Sequence, residues 1–195
     1  MTSTGMLLLI ALATPFALLL ACGSRTLRNR MPALLVFAPL PALATALLAV
    51  NSPPLVFDEA RLHITFVLDG PGAILLGVAA LLWMAGGWYA VSYLSGKSWR
   101  GHFIVCWLMT LAGCLGVFVA ADMASFYALL ALLSVGTTGL VLSEGTPRAY
   151  RAGAIYIGMA LFAESLILAG MVLTVVSAPG NSLLISAAPA AIDAS

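Results

Sequence analysis

Apolar residues fall along this chain in long unbroken runs, and the polar residues collect in the short connections between them. Six runs reach the length of about 18 residues that a membrane-crossing helix requires. They lie at approximately 6–23, 32–50, 71–94, 102–121, 123–143 and 150–176. The pattern predicts an all-α integral membrane protein with six transmembrane helices in a single membrane domain over 1–195. Only Ala121-Asp122 offers a turn between the fourth and fifth runs. Pro39 and Pro41 predict a kink in the second, which membrane helices tolerate where neighbours satisfy the freed carbonyls. In the loop 51–70, residues 62–68 alternate apolar with polar or small side chains, so a surface hairpin or extended strap is expected there.

Charge orients the runs. Arg25, Arg28 and Arg30 follow the first run, Lys97 and Arg100 the third, and Arg148 and Arg151 the fifth. The opposite connections hold Asp58, Glu59, Arg61 and Asp69, then Asp122, then Asp193 in the tail. Basic residues concentrate in cytoplasmic loops, so both termini are expected on the outer, periplasmic side of a bacterial inner (cell) membrane. Leu19-Leu20-Ala21-Cys22 imitates a lipoprotein cleavage box, but the residues before the first run carry no Lys or Arg. A secretory leader is basic there, so an uncleaved first helix is expected.

Composition agrees. The chain is 63% hydrophobic and 8% charged, whereas soluble domains carry about 25% charged residues. A net charge of +1 offers no basic field for nucleic acid. Cys22, Cys106 and Cys114 form no CxxC and have no His at ligand spacing, so they read as small buried hydrophobes and not as metal ligands or disulfides. Gly96-Lys97-Ser98 imitates the end of a phosphate loop, but Val91 occupies the earlier glycine position. No cofactor site, metal site, redox site or hydrolytic site is expected.

Against this background Glu164 stands out, a carboxylate near the middle of the sixth run. A charge at that depth costs roughly 2.5–3.5 kcal/mol on insertion scales. Such a residue is kept where it faces a protein interior or wet cavity, often on an ion path, and it is the first ion-translocation candidate. Asp69 and Asp122, at the outer ends of their runs, are further candidates, with helix-start capping as the simpler role. Glu144 is expected to form a loop ion pair with Arg148, one turn on. Trp83, Trp88, Tyr89, Tyr93, Trp99 and Trp107 gather where the third and fourth runs meet the cytoplasm. Interfacial anchoring accounts for Tyr93 and Trp99, and packing for the others. His63 and His102 read as solvated or capping. Ala154 and Gly158 would permit close helix contact.

Several segments together carry a resemblance. They are Leu68-Asp69-Gly70, Tyr89-Ala90-Val91-Ser92-Tyr93-Leu94, Ala120-Ala121-Asp122-Met123-Ala124-Ser125-Phe126-Tyr127, Leu133-Ser134, Ser143-Glu144-Gly145-Thr146-Pro147, Arg151-Ala152-Gly153 and Tyr156. In order and spacing they resemble the antiporter-like, proton-conducting membrane subunits of respiratory complex I, Mrp-type antiporters and energy-converting hydrogenases. The resemblance implies a membrane subunit of a multi-subunit complex moving protons or sodium. The redox chemistry would reside in other subunits.

Two departures shape the expectation. In the ion-conducting members the fifth helix carries a glutamate beyond the Asp; the corresponding position here is Ala131. The family's essential lysine lies on a seventh, broken helix, and this chain stops at Ser195 before any such helix. The chain therefore resembles the amino-terminal part of such a subunit, and a partner chain is expected to bring the lysine-bearing helices. Glu164 could supply from the sixth helix the carboxylate missing from the fifth. The rival expectations are a non-conducting assembly subunit and an independent oligomeric carrier.

Overall fold

The computed structural model describes residues 3–22, 33–50, 53–59, 62–177 and 184–185. Arg25, Arg28, Arg30, Arg61 and Asp193, on which part of the charge argument rests, lie outside the described residues. Helix α1 (Ser3–Ala21) is followed by α2 (Ala33–Leu48), α3 (Gly70–Tyr93), α4 (Arg100–Val117), α5 (Met123–Leu142) and α6 (Pro147–Ser177). A hairpin of β1 (Leu55–Glu59) and β2 (Leu62–Phe66) lies between α2 and α3. Five helices, all but α2, are long and apolar enough to cross a membrane. The fold is that of a mostly helical, multi-pass membrane protein.

The second run departs from its expected span of 32–50. Its helix covers Ala33–Leu48 and is interrupted by a turn at Ala38 and Pro39. At 1.5 Å per residue it rises only about 24 Å, short of the roughly 30 Å hydrocarbon core. The cause is local. Neither Pro39 nor Pro41 has an N–H to donate, so the hydrogen-bond ladder breaks and restarts at Leu40 with Pro41 in its first turn. The second segment is locked to α1 by Thr45, which is fully buried. Its hydroxyl lies 2.7 Å from the Pro41 carbonyl and 3.0 Å from that of Leu7.

The hairpin replaces the strictly all-α expectation with a small extended layer at one end of the bundle. Antiparallel register pairs Leu55 with Phe66, Phe57 with Ile64 and Glu59 with Leu62. The connection between α4 and α5 joins this layer: Val67 N donates to Val119 O at 2.8 Å and Ala121 N to Thr65 O at 2.9 Å. Ile185 N in turn donates to Ala121 O at 3.0 Å.

Helix α4 is the most enclosed, packing on α1, α3 and most extensively α5. Its contact with α5 is made by glycines. A Cβ on Gly113 would stand 2.6 Å from Leu133 N, and one on Gly136 would stand 2.7 Å from Thr110 N. Small residues let backbones approach closely, which is how helices associate where lipid is as apolar as the side chains. At Gly158, which would permit such a contact, nothing among the described residues lies within 4 Å of an added Cβ. Helix α6 is nearly bare, with Gly153 and Glu164 its buried residues.

Candidate functional site

Asp69 precedes α3 in an extended conformation, and its Oδ1 accepts from Gly72 N at 2.7 Å. Pro71 sits in the first turn, where its missing N–H is no loss. The side chain is exposed and caps one helix start.

Asp122 does more. It is 2% exposed. Its Oδ1 accepts from Ser125 N at 2.8 Å, capping α5, and its Oδ2 accepts from Thr65 N, also at 2.8 Å. One carboxylate thus staples the start of α5 to strand β2. Asp122 also bridges Leu184 on its other side. Sequence reasoning identifies the cap but not the staple, because the partner is a main-chain N–H 57 positions away and no side-chain type marks it.

At the opposite end of the bundle Glu144 meets a different partner from the expected Arg148. Tyr93 O–H, at the end of α3, donates to Glu144 Oε1 at 3.1 Å. The two residues close a link between α3 and the turn leading out of α5. Tyr93 also belongs to a run of ring contacts through Trp99, Phe103 and Trp107 to Trp83, the last pair edge-to-face at 4.7 Å. His102 lies near this end, with Nε2 3.6 Å from Cys106 Sγ.

Glu164 sits near the midpoint of α6 and is 7% exposed. Its Oε1 is buried and has no hydrogen-bond partner. Trp107 Nε1 and Ser125 Oγ are the other such atoms among the described residues, and neither can carry a full charge. The antiparallel register of α5 and α6 sets the level at which Glu164 lies. Gly153 lies against Leu142. Further along, Leu168 and Met171 share a cleft with Tyr127, Ala128 and Ala124. Interpolated between these two contacts, the register puts Glu164 at the level of Ala131. The cleft begins one turn beyond Glu164, has a volume of about 430 Å³ and is lined by apolar side chains apart from Tyr127.

The structure therefore separates the three candidates. Asp69 and Asp122 occupy the hairpin end and are engaged by backbone donors; Glu164 is alone in mid-helix. No group of three or more His, Cys, Asp or Glu suited to a metal ion occurs among the described residues.

Neither a family model nor a curated protein sequence matches the chain. Among solved structures, 89% of it overlays on part of a chain of the membrane-bound sulfane sulfur reductase, an archaeal respiratory membrane complex. The TM-score is 0.69 and the sequence identity 15%. The likeness is one of fold, and it spans 37% of the matched chain.

Proposed function

We propose that this chain is a membrane subunit of a multi-subunit ion-translocating complex, contributing the first helices of an antiporter-like module that moves protons or sodium. In this reading it lies in the inner (cell) membrane with both termini, and the hairpin layer, on the outer side. The observation that carries the reading is Glu164: a carboxylate near the middle of α6, 7% exposed, whose Oε1 is buried with no hydrogen-bond partner among the described residues. The shared fold with a respiratory membrane complex supports it.

In this reading a neighbouring subunit brings a cationic side chain to Glu164. Opposite charges favour both ionised forms, so a cation that approaches releases the proton of Glu164 and one that withdraws allows its return. The chain has no part in electron transfer and acts through that proton. The test is Glu164→Gln in the assembled complex. Ion movement should be lost while assembly is kept, with partial recovery in Glu164→Asp. Full transport in Glu164→Gln removes the residue from the mechanism.

One set of observations favours a second reading, a non-conducting assembly subunit. Ala131 leaves α5 without its acid, and Asp69 and Asp122 are engaged in helix caps. In that case Glu164→Gln leaves transport unchanged, and deleting the chain disassembles the complex.

A further inference from the structure

Helices α5 and α6 form a hairpin closed at one end and open at the other. Near the turn they already touch, since a Cβ on Gly153 would come within 2.6 Å of Leu142 Cδ2. Toward the outer end a cleft of about 430 Å³ lies between them, with Ala124, Tyr127 and Ala128 on one wall and Leu168, Met171 and Val175 on the other.

The two walls are not held equally. Helix α5 is stapled at its start by Asp122, latched beyond its end by Glu144 and Tyr93, and pressed along its length against the α4 glycines. Helix α6 has no such bond along its own length; its principal contact is α5, and only Leu184 and Ile185 beyond it pair with Asp122 and Ala121. We infer that α6 is a hinged lid, pivoting on the Gly153–Leu142 contact and closing the apolar cleft over the outer side of Glu164.

The cleft is suited to closure. The small side chains of Ala124 and Ala128 leave room for Leu168 and Met171 to settle between them. The walls bring almost no polar surface that would have to be desolvated, and each new contact adds dispersion energy, the term that associates helices in lipid. The swing is bounded, because Leu184, a few residues past α6, bridges back to Asp122. Glu164 lies between the pivot and the cleft. The functional meaning of the lid, an outer access gate, rests on the translocation reading of Glu164; the motion does not.

The test uses the full chain in its native membrane with Cys22, Cys106 and Cys114 replaced by alanine. Ala128→Cys is combined with Leu168→Cys, and a second pair, Ala124→Cys with Met171→Cys, keeps the test open should the first not fold. A disulfide needs Cα atoms about 4.4–6.8 Å apart, the spacing of closed walls, and oxidant should give roughly tenfold more of it than forms without oxidant. A long bis-maleimide should bridge the same pair. Bridging by the long linker without a disulfide means a fixed cleft and overturns the lid. Neither product, with both thiols reactive after denaturation, means a permanently filled cleft and overturns it equally. If the disulfide forms while Glu164→Gln transports normally, the lid stands and the translocation reading falls. If transport needs Glu164 but no disulfide forms, the reverse holds.

Discussion

The three carboxylates that the sequence offers as candidates are chemically different in the structure. Asp122 is buried and accepts from two backbone donors, Ser125 N and Thr65 N. Replacing it by alanine leaves both donors unsatisfied. A lost cap costs about 1 kcal/mol, and each buried unpaired group about 1–3 kcal/mol. With the cap covering Ser125 N and Thr65 N the further unpaired donor, Asp122→Ala should therefore lower the unfolding free energy in detergent by about 2–4 kcal/mol. Asp69→Ala removes one exposed cap and should cost about 1 kcal/mol. Equal losses for the two would count against the staple. Glu164 has no comparable structural bond, so Glu164→Gln should leave stability nearly untouched while acting on transport.

At the scale of elements, the α4–α5 pair is the rigid centre and α6 the loosely held one. Gly113 faces backbone atoms of Leu129 and Leu133 at under 3 Å from an added Cβ, and backbone cannot step aside as a side chain can. Gly113→Ala should destabilise by about 1–3 kcal/mol through overpacking. Gly158→Ala, on the open face of α6, should be neutral or gain up to about 1 kcal/mol of helix propensity. Thermal unfolding of the two variants in the same detergent compares them directly, and a tolerated Gly113→Ala would refute the close approach. These glycines are legible in the sequence only as small residues. Which of them meets another helix depends on the rotation of that helix about its axis, which a uniformly apolar run does not encode.

Across the whole molecule the helix ends sort into two groups. The hairpin, Asp69, Asp122 and residues 184–185 share one end. Tyr93, Glu144 and His102 belong to the helix ends at the other. That sorting agrees with the alternation the charged loops imply. The charge bias then predicts which side each faces. In a chain with its native cysteines replaced, Ala60→Cys should react with an impermeant thiol reagent in intact cells, and Ser98→Cys only after permeabilisation. The opposite pattern would invert the orientation.

Sequence alone settled the long helices, because a run of apolar side chains in lipid has no alternative that satisfies its backbone. α3, α4, α5 and α6 begin and end within a few residues of their expected bounds. It also marked the hairpin, through alternation, and singled out Glu164, through the cost of a mid-membrane charge. The shortening of α2 was only half legible: the prolines announce a kink, but how much helix remains depends on the packing of Thr45 against α1. Tertiary structure alone decided the rest. The Asp122 staple, the Tyr93–Glu144 link and the burial of Glu164 along α5 all join positions far apart in the chain. Such pairings depend on helix register and rotation, and composition is silent on both.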